Sequence, residues 1–394
     1  MSSSDPVVIV GLARTPMAAF QGAFSTLTAA DLGAASIQAA LAESTLDVDD
    51  VEQIFMGCVL PAGQGQAPAR QAALKAGLNK NCEATTINKM CGSAMQAAIM
   101  AHDAIKAGSA DIIVAGGMEN MSAAPYVLPK ARAGYRMGNG VMIDSMMHDG
   151  LTDAYEGKPM GVYADMIANE YQFTREQQDA YAIASVERAR RAAKDGDFDR
   201  EITPVTVPGR KGDVVVSTDA GPENARPEKI PNLRPVFNKD GTVTAANASS
   251  INDGAAALVL MRRSDAEKRG LNILAEIKAH AAHAHEPQYF TTAPVHAMNK
   301  CLKKAGWSKD DVDLWEINEA FAVVPMIAMR DMDLDHDKVN VNGGACVLGH
   351  PIGASGTRIM ATLIAAMEKH DVKKGMASLC IGGGEATAIA VERV

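Results

Sequence analysis

Two residues of complementary chemistry stand at matching places in this sequence. Cys91 opens Cys91-Gly-Ser-Ala, and His350 opens His350-Pro-Ile-Gly-Ala-Ser-Gly356. Each falls at a predicted loop-to-helix junction, where unpaired N–H groups and a partial positive charge favour a thiolate. A thiol with an imidazole beside it is a nucleophile for acyl transfer. Taken alone, Cys91 reads as a packing thiol; its pairing with His350 turns the reading toward catalysis. Two glycine-rich runs, Asn342 to Gly356 and Cys380-Ile-Gly-Gly-Gly-Glu385, call for close backbone approach or positive φ. Exposed N–H groups beside a reactive thiol would hold a carbonyl oxygen as charge develops on it. Neither run is a phosphate loop, since no Lys-Ser/Thr follows the glycines and no Gly-x-Gly-x-x-Gly follows the first strand.

The elements that must position these groups occur twice. Val7 to Gly11 reads as a buried strand, followed by a helix over 28–43 and a strand leading to Gly57. A helix over 292–305 and Asp310-Asp-Val-Asp-Leu-Trp-Glu-Ile-Asn318 repeat that pattern, and Asp49-Asp50-Val51 reappears as Asp310-Asp311-Val312 at nearly the spacing that separates Cys91 from His350. The helix after Cys91 and the strand 111–117 are matched by the helix after His350 and the strand 377–383. Two related halves are the economical reading. Alternating strands and helices predict buried, largely parallel sheets covered by helices. The stretch 123–250 differs, being rich in Pro, charge and turn dipeptides, with one amphipathic helix from Arg175 capped by Thr174. The expected organisation is a first half over 1–122 completed by 251–273, an inserted segment over 123–250, and a second half over 274–394.

Composition bounds the function. The 394 residues are 47% hydrophobic and 22% charged, the balance of a folded globular chain with more than one core. The net charge is −9 with no basic block, which argues against a nucleic-acid surface. No apolar run approaches the ~20 residues a bilayer span needs. The start, Met1-Ser-Ser-Ser-Asp-Pro6, has no basic and apolar regions of a secretory signal. Six scattered cysteines form no disulfide framework and no metal-ligand spacing, so the expected compartment is reducing and cytoplasmic.

Four blocks in order, Asn88-Lys-Met-Cys91-Gly-Ser-Ala-Met, Asn318-Glu-Ala-Phe321, Gly349-His-Pro-Ile-Gly-Ala-Ser-Gly356 and Cys380-Ile-Gly-Gly-Gly384, resemble the signature blocks of the thiolases. The likeness runs over nearly the whole chain and is nearest to the biosynthetic acetyl-CoA acetyltransferase branch. It implies an α/β fold, the five-layered αβαβα thiolase fold of two duplicated halves with an inserted loop domain. It implies that Cys91 takes up the acyl group, that His350 activates the thiol, and that Cys380 serves as acid and base. Asn318 would hold a water that, with His350, supports the enolate oxygen; the N–H groups of Cys91 and Gly382 would support the tetrahedral intermediate. The substrates implied are acetyl-CoA, acetoacetyl-CoA and CoA, with the coenzyme A thioester as substrate, no separate cofactor and no metal. The expected reaction is condensation of two acetyl-CoA to acetoacetyl-CoA and CoA, with its reverse thiolysis. The alternatives are a broader-chain 3-ketoacyl-CoA thiolase of fatty-acid breakdown, and a non-catalytic acyl-CoA binding protein on the same scaffold. Cys91 and Cys380, sharing a site, would also be able to oxidise to a reversible disulfide.

The resemblance also places coenzyme A contacts: Ser249 on the pantetheine, with Phe237, Ala245 and Phe321 lining, and Arg226 near the adenine. Met160, in Lys158-Pro159-Met160-Gly161, matches the methionine that limits pocket length, while Pro159 replaces the usual His. Phe290, with Tyr289, stands where many relatives carry a methionine and is expected to reshape the acyl pocket. The segment 124–138 resembles a tetramerisation loop, so a homotetramer, as a dimer of dimers, is expected. Glu319 either orients His350 or pairs elsewhere. Cys58, Cys82, Cys301 and Cys346 read as packing residues, and His280, His283 and His285 as bland or pocket-lining rather than metal-binding.

Overall fold

The computed structural model describes residues 5–394; Met1–Ser4, part of the start read above, lie outside the described residues. The main strands are β1 (Val7–Arg14), β2 (Gln53–Gly57), β3 (Glu83–Ile87), β4 (Ile112–Asn120), β5 (Asn252–Arg262), β6 (Ala275–Ala284), β7 (Leu314–Ile317), β8 (Lys374–Ile381) and β9 (Glu385–Glu392). They lie in the order β7-β8-β9-β6-β1-β5-β4-β2-β3. Only two residue pairs, Val8 with Glu276 and Ile9 with Ala275, join β1 to β6 at the seam between halves.

Duplication is visible in the pairing. In the first half β2 runs parallel to β4, β4 antiparallel to β5, and β5 antiparallel to β1. In the second, β7 runs parallel to β8, β8 antiparallel to β9, and β9 antiparallel to β6. The sheets are therefore mixed, not largely parallel as expected. The reason is local: the last strand of each half slots in antiparallel between its first strand and the strand that follows the central helix. For β8 and β9 the link is the tight turn Gly382-Gly383-Gly384, where φ is +95° at Gly383 and +85° at Gly384, values that favour glycine.

The principal helices are α1 (Ala29–Ser44), α2 (Pro68–Lys75), α3 (Ser93–Ala107), α4 (Met160–Glu170), α5 (Arg175–Lys194), α6 (Ala293–Ala305), α7 (Val323–Met332) and α8 (Ser355–Lys369). Thr28 and Thr174 each accept the N3 backbone N–H while the N3 side chain returns to the cap, which fixes where α1 and α5 begin. Strand alternation sorts the core into layers. Val8 and Val10 pack with Leu32 and Ile37 of α1, whereas Val7 and Ile9 pack with Met95 of α3 and Ile359 of α8. Across the second sheet, Ile389 and Val391 join that same central cluster while Ala386, Ala388 and Ala390 face Met298 of α6 and Ile327 of α7. The succession is helices, sheet, α3 with α8, sheet, helices. Strands buried on both faces read as continuous apolar runs, as Val7 to Val10 does. Among the described residues no helix is long and apolar enough to cross a membrane.

Candidate active site

Cys91 lies two residues before α3, in the central layer. Gly92 has no room for a side chain, because a Cβ there would come within 2.3 Å of Ile381 Cδ1. The turn carrying Cys91 is thereby pressed against the end of β8. The N–H groups of Gly382 and of Cys91 itself point at the Cys91 sulfur, and the Cys380 thiol is near enough for Cys91 to oppose its ionisation. The helix N-terminus was expected to lower the Cys91 pKa. Burial wins instead and pushes the thiol up to about 11, despite those two N–H groups. Cys380 is driven the same way, first by burial and then by Cys91.

His350 is buried, and its Nδ1 lies 2.5 Å from Ser355 Oγ at the start of α8. Ser355 donates its one hydroxyl proton to the Pro351 carbonyl at 2.9 Å, so it accepts from His350 Nδ1–H. The ring is thus held with its proton on Nδ1 and a bare lone pair on Nε2, an atom without a protein partner. Burial, reinforced by the Arg358 charge, lowers its pKa to about 3, so the imidazole rests neutral. Asn318, at the end of β7, is buried and its side-chain Oδ1 and Nδ2 are also without protein partners.

Two carboxylates brace the surroundings of the site, and the sequence reading did not single out the first of them. Glu119, at the end of β4, accepts from the N–H groups of Val59 (2.8 Å), Leu60 (3.2 Å) and Gly353 (2.9 Å), and from the Cys58 thiol. It pins the turn after His350 to the loop after β2; burial still pushes its carboxyl up to about 7. Close contact completes the seat, since a Cβ on Gly117 would meet the Gly353 oxygen at 2.0 Å. Glu319 does not reach His350. It takes hydrogen bonds from Tyr181, Ser185, Asn340 and the Cys346 N–H, which settles its two readings in favour of pairing elsewhere.

His350 opens on a cavity of about 250 Å³ lined mainly by apolar groups, among them Met160, Phe237 and Phe321, with the Ser249 hydroxyl beside them. A second cavity of about 420 Å³ shares Ser250 and Ile251 with the first and is lined by Arg226, Lys229 and Ala245. The two cavities adjoin at those shared residues.

Family models agree with this architecture along the chain. Residues 7–264 match the thiolase N-terminal domain and residues 271–393 the thiolase C-terminal domain. The chain belongs to the thiolase family. It is 50% identical over 389 residues to an acetyl-CoA acetyltransferase of Cupriavidus necator, covering 98% of this chain and 99% of that one. It is 47% identical over 397 residues to an acetyl-CoA acetyltransferase of Saccharomyces cerevisiae, covering 99% and 100%. Among solved structures it is similar to the Acat5 thiolase from Ascaris suum in complex with coenzyme A, with a TM-score of 0.93 and 42% identity. That match covers 99% of this chain and 100% of the other. An acetyl-CoA acetyltransferase from Syntrophomonas wolfei superposes with a TM-score of 0.96 at 40% identity and the same coverage. The thiolase fold expected from the four blocks is the fold observed.

Within this thiolase the expected substrate contacts divide between the two cavities. Ser249, Met160, Phe237 and Phe321 line the inner one; Ala245 and Arg226 line the outer. Pro159 lines the inner cavity beside Met160. Phe290 and Tyr289 do not line it. Phe290 is buried behind Phe321, ring centroids 6.1 Å apart, and Tyr289 turns toward Glu170, so any effect on the acyl pocket passes through Phe321. His280, His283 and His285 line neither cavity, which leaves the bland reading of the two expected for them. Cys346 lines the outer cavity, and all six cysteines are free thiols. Ser355 was the residue most within reach of sequence reasoning, being a hydroxyl in the His350 block just where a helix starts.

Proposed function

We propose that this thiolase is an acetyl-CoA C-acetyltransferase that condenses two acetyl-CoA to acetoacetyl-CoA and CoA and runs the reverse thiolysis. The observation that carries the reading is the pairing of Cys91 with two backbone N–H groups, beside a cavity-lining His350 whose Nε2 is bare. In the first half reaction Cys91 Sγ attacks the thioester carbonyl as its proton passes to His350 Nε2. The carbonyl oxygen gathers charge against the N–H groups of Cys91 and Gly382. Collapse expels the CoA sulfur, which takes the Cys380 proton, leaving acetyl-Cys91, a Cys380 thiolate and a His350 that carries the Cys91 proton on Nε2. In the second, the Cys380 thiolate takes an α-proton from another acetyl-CoA. The enolate oxygen is then held by His350 and by a water on Asn318. Its carbon forms the new bond to the acetyl carbonyl, and Cys91 departs as the leaving sulfur, taking its proton back from His350 Nε2 while Cys380 keeps the α-proton.

Coenzyme A enters this reading as part of the substrate, with no separate cofactor, and the segment 123–250 serves as its binding insertion within the two-half organisation. Arg226 and Lys229 in the outer cavity supply the cationic contacts for phosphate, and Ser249 a polar contact for pantetheine. Met160, whose Cε lies 3.8 Å from the Cβ position of Gly382, closes the inner end and favours a short acyl chain. Pro159 leaves that wall apolar, the feature that favours the broader-chain 3-ketoacyl-CoA reading. Free thiols throughout support a reducing cytoplasmic setting in fatty-acid metabolism. Tyr126, Leu128, Met137, Val141 and Met142 expose apolar surface on and just beyond the 124–138 loop, which supports a homotetramer.

Intact-mass measurement after mixing with acetyl-CoA tests the core of the reading. The protein should gain one acetyl group, and Cys91→Ser should gain none. Unchanged turnover in Cys91→Ser would refute it. Thiolysis against acyl length separates the two chain-length readings, since a strong preference for medium or long 3-ketoacyl-CoA rejects the short-chain one.

A further inference from the structure

Far from the cavity, His280 on β6 meets the solvent-facing side of α3. Its Nε2 lies 2.9 Å from Asp103 Oδ1 and 3.3 Å from His102 Nδ1, and His102 Nδ1 lies 2.9 Å from the same Oδ1. The two imidazoles are largely buried, at 14% and 17% side-chain exposure, while the carboxylate is open at 60%. Three donor atoms thus form a tight triangle, walled on one side and open to solvent on the other. We propose that His102, Asp103 and His280 bind a divalent transition metal such as zinc, tying α3 to β6.

The triangle has the dimensions of one face of a coordination shell. Zinc binds imidazole nitrogen at about 2.0–2.1 Å and carboxylate oxygen at about 2.0–2.2 Å. Two such ligands stand roughly 3.4 Å apart at the tetrahedral angle and about 2.9 Å apart at a right angle. The observed edges of 2.9, 2.9 and 3.3 Å span that range, so one ion above the triangle reaches all three atoms with the side chains where they are. Without metal, Asp103 Oδ1 accepts from both ring N–H groups; a metal takes their place once each neutral ring carries its proton on the other nitrogen and turns its lone pair to the ion. Two imidazoles and one carboxylate suit first-row transition ions better than calcium or magnesium.

Cations nearby are turned away from the triangle. Lys106 Nζ donates to the Asp5 carbonyl at 2.7 Å, and Lys304 Nζ to the His280 carbonyl at 3.0 Å. A second histidine cluster, His283, His285 and His296, lacks this advantage: Lys300 Nζ sits 2.9 Å from His283 Nδ1 and puts an ammonium charge beside the ligand set. The role assigned to the first site is structural. His102 lies about three helical turns, roughly 15 Å, along α3 from the Cys91 end, and β6 belongs to the second half. The metal would clamp the helix behind the nucleophile to the opposite half of the molecule.

Titration of the full-length, chelator-stripped protein with Co²⁺ tests this. The expected result is one Co²⁺ per chain with weak visible bands and no intense near-ultraviolet thiolate band, the same in Cys91→Ser. His102→Gln and His280→Gln should each weaken binding about 100-fold or more, in line with the 10–100-fold loss seen when even outer partners are removed. Zn²⁺ should raise the melting temperature of the parent protein and not of His280→Gln. If a histidine variant fails to fold, the same two measurements on Asp103→Asn, whose side chain is mostly exposed, decide the matter. The proposal is overturned by absence of Co²⁺ binding at millimolar metal, or by a thiolate band that disappears in Cys91→Ser. It is equally overturned if His296→Gln removes binding while His102→Gln does not.

Discussion

Ser355→Ala probes the hydrogen-bond chain that fixes the His350 tautomer. In the parent protein Ser355 Oγ accepts Nδ1–H at 2.5 Å and gives its own proton to Pro351 O at 2.9 Å. Alanine leaves a buried Nδ1–H with no acceptor, a state that costs about 1–3 kcal/mol. The ring escapes that cost by moving its proton to Nε2, the atom that must receive the Cys91 proton. At about 1.4 kcal/mol per tenfold, acetylation should slow roughly 5- to 150-fold. Binding of acetyl-CoA should change little, because Ser355 is absent from the lining of both cavities. The assay is single-turnover acetylation of Cys91 by rapid quench and intact mass, with melting measured in parallel. Ser355→Thr keeps the hydroxyl and should recover most of the rate. If Ser355→Ala acetylates within twofold of the parent while only its melting point falls, Ser355 is a packing residue and the tautomer argument is wrong.

Four further outcomes are expected. Cys380→Ser should still accumulate acetyl-enzyme but lose condensation and thiolysis by about 10²–10⁴-fold, the range for losing a positioned acid–base group, as measured by burst and steady-state kinetics. Met160→Ala should open the inner wall and raise the ratio of C6 to C4 3-ketoacyl-CoA thiolysis by about tenfold or more, a modest pocket effect measured as kcat/KM. Acetylation by acetyl-CoA should be flat between pH 5 and 9, because His350 titrates near 3 and Cys91 near 11; a bell with limbs inside that window would contradict both burial arguments. Glu119 is raised by burial from its ordinary 4.5 to about 7, so the folded state binds the proton more tightly than the unfolded chain. Its contribution is fully present below pH 4.5 and is lost as pH rises toward 7. Denaturant titrations should therefore show the parent losing stability relative to Glu119→Gln between those values.

The parts of this molecule legible in the sequence were those with short-range signals or a second copy for comparison. Thr174 capped α5 as its spacing from Gln177 required, and Gly108 ended α3. Cys91 and His350 stood out because each half pointed to the other. The strand directions were not legible, because β5 and β9 enter their sheets between strands already in place, and alternating β and α elements do not reveal that order. Glu119 escaped because its donors come from Val59, Leu60 and Gly353, residues gathered only by folding. The histidine grouping failed for a reason the sequence did contain. Along a strand, His280 faces away from His283, and each then finds partners on a helix, His102 and Asp103 in one case and His296 in the other.

The resting electrostatics of the site follow from what surrounds His350. A carboxylate on Nδ1 would raise the imidazole pKa and draw the Cys91 proton across before substrate arrives. The two nearest glutamates with hydrogen-bond partners around the site, Glu119 and Glu319, are instead occupied by backbone and hydroxyl donors, and a neutral hydroxyl orients the ring. Cys91 therefore waits as a thiol, and proton transfer must accompany attack. Burial that makes Cys380 a reluctant acid makes its thiolate a stronger base, which is what an α-carbon beside a thioester demands. Nucleophilicity rises with thiol pKa in the same way, so the dry setting that delays ionisation of Cys91 also sharpens the sulfur once it is formed. Filling the inner cavity with acyl chain rather than water maintains that setting, and the apolar wall of Met160, Phe237 and Phe321 is thus part of the acid–base chemistry as well as of chain-length selection.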